Sequence, residues 1–416
     1  MLQQLLHTIL VSAVCIVWGI PVLLAGKKFI RQDSFWFSSF PDFLSFLFFT
    51  GCISLGIVSS WILLLFPLKF LYLAILTSGL VLVLTIVARK EILENFKEVT
   101  KNKYKLSVLE YIYTLLCVFL FITLGSVKPV NLDMQIYHLQ VIRWQTEYGA
   151  VPGIGNLFPR FGHGSNWFNL ISFFQLPFLK YDNFSYVNIS FVSWFFTWLL
   201  FKCKYHLGKS DNRGNKLLSL YYFIFFIFFM FDWQLNRDAA NSTNYDFEVT
   251  AFIIMSLSYF VEEAIIPKSK AQFSPILMLF ALGVISFKFT AIFLLLLILY
   301  YLISHNKLSR WLLTGIAGIV IILPGLIRNY ITTGYPLFPY PLSIASPDWK
   351  IPEAFAAGYY QFVSDYNHFF NYWMFIGKVP DSPLNWLPYW YKGVLVQHKA
   401  VFILALSSFL LLFIKP

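Results

Sequence analysis

Residues 107–144 read SVLEYIYTLLCVFLFITLGSVKPVNLDMQIYHLQVIRW. An apolar run, 107–126, passes through Pro129 into a segment that carries Asp133, His138 and Arg143. A helix needs about 20 apolar residues to cross the hydrocarbon core of a bilayer, and this run has that length. The polar groups that follow it belong to a membrane surface.

Runs of the same kind recur along the chain. Candidate spans are 4–25, 43–65, 67–88, 107–126, 183–201, 217–233, 247–264, 272–287, 289–304, 311–327 and 397–414. Composition agrees, with 58% hydrophobic residues, 12% charged and a mean hydropathy of +0.67. Soluble domains carry about 25% charged residues, so a water-soluble globular fold is excluded. The 47 Phe, 24 Tyr and 13 Trp suit lipid-facing surfaces and interfacial belts. The fold class is therefore an all-α polytopic membrane protein with about eleven transmembrane helices.

The net charge of +11 is placed in the same pattern. Basic segments fall at Lys27–Arg31, Arg89–Lys105, Lys202–Lys216, Lys268 with Lys270, Lys307 with Arg310, and Lys415. Cytoplasmic loops collect Lys and Arg, and the eleven spans put an even number of crossings between successive basic segments. The charge thus records topology, and no nucleic-acid partner is expected. The first run lacks a basic lead and is followed by Lys27, Lys28 and Arg31, the reverse of a cleaved leader. It reads as a retained helix with its N-terminus outside. Cys15, Cys52 and Cys117 lie in apolar runs and Cys203 in a basic loop, without the spacing of a disulfide framework or zinc site.

The non-cytoplasmic segments are then 127–182, 234–246, a short turn near 288, and 328–396. Loops longer than about 12–15 residues are usually functional or disordered, and the richness of these in Trp, Tyr, Pro and Gly favours order. Counting 166–179 as a span would move Lys202–Lys216 outside, so it reads as an interfacial helix lying on the membrane. Residues 91–105 read as a cytoplasmic connector. Four regions follow: 1–106 with three helices and the connector, 107–327 with seven helices, 328–396 as an outer aromatic-rich segment, and 397–416 as the last helix.

The outer segments hold the candidate chemistry. A carboxylate at Asp133 could deprotonate a hydroxyl or help bind a divalent cation, or it could cap the helix expected over 134–148. In that helix Tyr137, Val141, Trp144 and Tyr148 form one stripe, while His138 and Gln145 turn toward a cavity. Arg143 and Glu147 read as an i, i+4 pair. Arg160 and His163 follow, and an Arg there has the donor fork that suits phosphate. Asp232, Arg237, Asp238 and Asp246 crowd the second outer segment; Asp246 could cap the next helix and Asp232 could pair with Arg237. Lys288, between two apolar runs, either snorkels or holds an anion at the surface. Arg328 and Asn329 emerge where Pro324 and Gly325 end a helix. Aromatics such as Trp144, Trp167 and Trp349 could pack or stack on sugar rings. Four separated segments thus bring Asp133, Arg160, Asp246, Lys288 and Arg328 to one side.

This arrangement resembles the GT-C superfamily of membrane glycosyltransferases, in which a helix leads into a long outer loop with acidic residues near its start. The segments D-x-x-x-Y-H-L-Q, R-W, V-P-G-x-x-N-L and R-F-G-x-x-S (133–165) are similar to an uncharacterised family of bacterial multi-spanning proteins related to those enzymes. The Lys288 segment FKFTA and R-N-Y-x-x-x-G-Y-P-L-F-P (328–339) resemble motifs of bacterial members. The likeness covers roughly 107–395. It implies a GT-C-like module with interfacial helices in its first outer loop. It also implies an inverting transferase of a polyprenyl-phosphate-linked sugar to a glycan, lipid or protein acceptor, at the outer face of a bacterial inner membrane. Asp133 would be the base; His138, Arg160, His163, Asp246, Lys288, Arg328 and Asn329 would bind substrate. Met134 stands where many such enzymes have a second acid, which argues against a metal-dependent route, and no soluble cofactor is indicated. The rival expectation is a non-catalytic carrier or assembly protein for lipid-linked polysaccharide.

Overall fold

The computed structural model describes residues 2–30, 40–101, 107–129, 131–176, 184–209, 213–265, 274–305, 307–369 and 384–394, with Val396 and Lys399. The expected span 397–414 lies outside the described residues. Among those described, the regular structure is helical throughout. The chain divides into two compact units, Met1–Pro152 with Gly164–Ile331, and Gly153–His163 with Thr332–Pro416.

The first unit is built from α1 (Leu2–Ile30), α2 (Phe40–Leu63), α3 (Phe70–Val87), α4 (Arg89–Lys101), α5 (Val108–Gly125), α6 (Leu139–Glu147) and α7 (Asn166–Phe173). Then come α8 (Tyr186–Gly208), α9 (Arg213–Phe231), α10 (Trp233–Asn241), α11 (Asp246–Ile265), α12 (Ser274–Phe287), α13 (Leu295–His305) and α14 (Leu308–Thr333). Each of the other ten expected spans overlaps one of these helices, although 289–304 is a 3-10 turn followed by α13, and α14 continues through Pro324 and Gly325, expected as its end, to Thr333. Six helices, α1, α2, α3, α5, α9 and α14, are long and apolar enough to cross a membrane. The protein is a helical, membrane-embedded chain.

Helix α1 is fastened by polar bonds as well as by packing. Gln4 donates to the Gly125 carbonyl at 3.1 Å, Trp194 donates to Ser12 at 3.0 Å, and His7 stacks on Tyr186 at 4.4 Å. Its approach to α2 requires glycine: a Cβ on Gly19 would stand 2.0 Å from the Leu47 carbonyl oxygen, and one on Gly51 1.7 Å from that of Cys15. Small residues let membrane helices meet backbone to backbone. Phenylalanines fill the centre, where Phe49, Phe191 and Phe252 meet at centroid distances of 5.1, 5.9 and 4.9 Å.

Two expectations are corrected here. Helix α7 does not lie on a surface, because all eight of its residues are buried. Its apolar residues are covered by the bundle, and two of its polar side chains bond within it: Asn169 donates to Ser60 at 2.9 Å and Ser172 to Gln145 at 2.9 Å. Lys202 is likewise not in a basic loop. Helix α8 runs on to Gly208, and Lys202 lies inside the bundle, 1% exposed, 3.3 Å from Asp42 and 3.2 Å from Glu262. His206 and Tyr222 also bond Glu262, at 2.9 and 2.7 Å. This network joins the start of α2 to the ends of α8 and α11. Beside it, Lys204 of α8 pairs at 2.7 Å with Glu110 in the first turn of α5, which completes a capping box with Ser107.

In the second unit, Tyr335 donates to the Ile351 carbonyl at 3.0 Å, and Tyr335, Phe338, Ile351 and Ala356 form a small core with Tyr359 packed on it. It contains α15 (Glu353–Phe369) and α16 (Leu387–Gly393).

Candidate functional site

At the opposite end of α11 from the Lys202 network, several polar residues of the first unit converge. The segment after α5 turns helical at Leu132, and Asn131 accepts from the Met134 amide at 2.9 Å. Asn131 is thus the cap. Asp133 already has helical backbone angles and makes no capping bond, so the capping role weighed for it falls away. Residues Met134–His138 form a single π turn before α6, a wide turn that often marks functional positions. The extra residue rotates the helix: Met134, His138, Val141, Ile142 and Gln145 are buried. Of the expected aromatic stripe only Val141 is buried, and Tyr148 is exposed. His138 and Gln145 therefore face packed protein, which corrects their assignment to an open cavity.

His138 Nδ1 lies 3.0 Å from the Thr243 hydroxyl and its ring packs on Phe168. This ties the π turn to residues 242–245, the connection between α10 and α11. That connection is held in turn by Asn188, which donates to the Asn244 carbonyl at 2.6 Å. Asn244, not Asp246, accepts the amide at the start of α11, at 3.2 Å. Asp246 instead pairs with Lys288. Asp232 caps α10 by accepting from the Leu235 amide at 3.0 Å, and Arg237 pairs with Asp238 at 3.3 Å, so the expected Asp232–Arg237 pair is not formed.

Lys288 occupies an extended residue between α12 and the 3-10 turn Phe289–Leu294. The corner is fixed by Ser165, which donates to the Phe287 carbonyl at 2.7 Å and caps α7 through the Trp167 amide. The ammonium stands 5.6 Å from the centre of the half-buried Tyr245 ring. Burial alone lowers the Lys288 pKa, but the neighbouring charge of Asp246, with Tyr245 and Asp133 adding to it, carries it above the ordinary lysine value. Burial raises the Tyr245 phenol, while the charges of Lys288 and Arg328 act against that rise.

Arg328, near the end of α14, is 5% exposed and donates to Asn329 at 2.9 Å. Its guanidinium lies against the backbone at Gly164. The structure therefore gathers Asp246, Lys288 and Arg328 around Tyr245, with the Asp133 charge acting on Lys288, His138 holding the connection and Asn329 beside Arg328. Arg160 and His163 belong to the second unit. Arg160 sits on the 3-10 turn Pro159–Gly162, and His163 lies 2.8 Å from the Tyr359 hydroxyl against Phe338.

Tyr245 and Gly164 were not singled out by the sequence, and Ser165 entered only as the end of the R-F-G-x-x-S segment, without a role. Their types carry no chemical signature, and only the neighbours they meet make them notable. A divalent cation is poorly served. Asp246 is taken up by an ammonium, and among the described residues no three His, Cys, Asp or Glu side chains gather as metal ligands. What the constellation can do is accept a proton at a carboxylate and place positive charge next to it.

No curated protein and no solved structure matches the chain. One family model does, a domain of unknown function (DUF8201), over residues 1–415, and the chain belongs to that family.

Proposed function

We propose that this protein is a GT-C-like membrane glycosyltransferase with eleven crossings and its N-terminus outside. It moves a sugar from a polyprenyl-phosphate donor to an envelope glycan, lipid or protein acceptor at the outer face of a bacterial inner membrane. The observation that carries the reading is the convergence of Asp246, Lys288 and Arg328 around Tyr245, with Asp133 acting on Lys288, at the end of α11 opposite the Lys202–Glu262 network. An ionisable residue set among membrane helices is a functional hypothesis by default, and a carboxylate beside two cations matches the demands of transfer. Asp133 takes the proton of an acceptor hydroxyl as its oxygen attacks the anomeric carbon. The bond from that carbon to the phosphate oxygen breaks, and the leaving phosphate carries the electron pair. Lys288 and Arg328 supply positive charge where that negative charge develops. Asp246 keeps Lys288 charged and directed.

The test is the lipid-linked sugar and glycan profile of a deletion strain complemented with wild type or with Asp133→Asn, at equal membrane levels. The expected result is that the variant fails as the deletion does, with one specific sugar missing. Full restoration by Asp133→Asn would remove catalysis at this residue and favour a carrier or assembly protein.

A further inference from the structure

We infer that Gly164 is a positioning residue for this site: the side chain it lacks is the space in which the Arg328 guanidinium lies. A Cβ built on Gly164 would stand 1.8 Å from Arg328 Cζ and 2.1 Å from both Nε and Nη2. These are its three nearest atoms, and all belong to the tip of one side chain. The backbone gives no second reason for glycine, since the left-handed glycines of the described residues are Gly149, Gly153 and Gly334. Gly19 and Gly51 differ in kind, because there the added carbon would meet the backbone of a neighbouring helix. A methyl group at those positions pushes helices apart, whereas a methyl group at Gly164 meets first the movable tip of a side chain.

Position along the chain adds to the argument. The next residue, Ser165, fixes the corner that presents Lys288 through its bond to the Phe287 carbonyl at 2.7 Å. Two adjacent residues thus set both cations, Gly164 by leaving room and Ser165 by donating a hydrogen bond. A guanidinium pressed onto main chain has lost most of its rotamer freedom, so its fork is aimed before a ligand arrives. The consequence for function rests on the reading of Arg328 as a ligand of the donor phosphate; the seating of Arg328 does not.

The experiment uses the full chain in nanodiscs of phosphatidylethanolamine and phosphatidylglycerol. Arg328 is followed by its modification with phenylglyoxal, read as the mass of its peptide, and affinity is measured for undecaprenyl phosphate. In the wild type Arg328 is modified slowly. In Gly164→Ala it is modified several-fold faster while the thermal midpoint holds, and affinity falls by about tenfold, the scale of one hydrogen bond from a charged group. Gly164→Ala combined with Arg328→Ala binds as Arg328→Ala alone does. Equal labelling in wild type and Gly164→Ala, or losses that add in the double variant, would overturn the inference. Should Gly164→Ala fail to fold, the double variant decides: recovery of folding upholds the collision with Arg328, and continued failure overturns it. Faster labelling with no effect of Arg328→Ala on affinity would uphold the seating and sink the phosphate reading instead.

Discussion

The two polar ends of the first unit are built from some of the same helices and differ in almost every other respect. Asp246 and Glu262 stand at opposite ends of α11, about 24 Å apart at about 1.5 Å per residue. Around Glu262, the side chains of Lys202, Asp42 and His206 are 0–1% exposed, and each bonds or pairs within the group. Around Asp246 the pair with Lys288 is 52% and 34% exposed, and Asp133 is exposed as well. The first is a closed network that ties α2, α8, α9 and α11 together. The second leaves Asp133, Asp246 and Lys288 open to a reactant, while its other cation, Arg328, is buried beside them. Burial separates the two roles, because a charge hidden from water must be paired at all times, whereas a charge at the surface can exchange partners.

That contrast can be broken by three substitutions. Lys202→Met leaves two buried carboxylates without their ammonium, and removing one partner of a buried pair costs about 3–5 kcal/mol. Chemical denaturation of the purified protein should show a loss of that size, or no folded protein at all. A loss as small as that for Lys288→Met would mean the two ends are energetically alike. Tyr222→Phe is the milder probe. It deletes one bond to the Glu262 carboxylate, for which about 1.5–3 kcal/mol is expected, and leaves the ring stack with His206 in place. An unchanged denaturation midpoint would show that Glu262 does not depend on the phenol.

Lys288→Met is the smallest of the three in stability, at about 1 kcal/mol or less for a partly exposed pair. Its pH dependence follows from the raised pKa. The ammonium is favoured by the fold, so its contribution is complete below the ordinary lysine value and disappears as pH rises through the higher folded value. The difference in midpoint between wild type and Lys288→Met should be constant across neutral pH and close only in strongly alkaline solution. A difference that opened as pH rose would reverse the sign and remove Asp246 as the dominant partner. Asp133→Asn, by contrast, should leave stability unchanged while abolishing complementation.

Much of the architecture was legible in the chain. Ten expected spans overlap helices, six of them long and apolar enough to cross a membrane, because an apolar run of that length has few other ways to satisfy its backbone. Less was legible where a residue's type allowed two environments. The apolar residues of α7 fit a membrane surface as well as a core, and Lys202 fits a cytoplasmic loop as well as a buried pair, until Asp42 and Glu262 are seen beside it. The π turn was invisible, since one residue of extra winding leaves no mark in composition, yet it decided that His138 faces Thr243.

By itself, then, the sequence determined the membrane class, the helix positions and the charged residues worth watching, because hydropathy and charge act locally and add along the chain. Only the tertiary structure decided that Asn131 rather than Asp133 caps its helix, and that Tyr245 lies among the charges. It likewise decided that Gly164 makes room for Arg328. The cap is a contact three residues along the chain that two neighbouring side chains could equally have made, and the other two depend on neighbours distant in sequence, which packing settles.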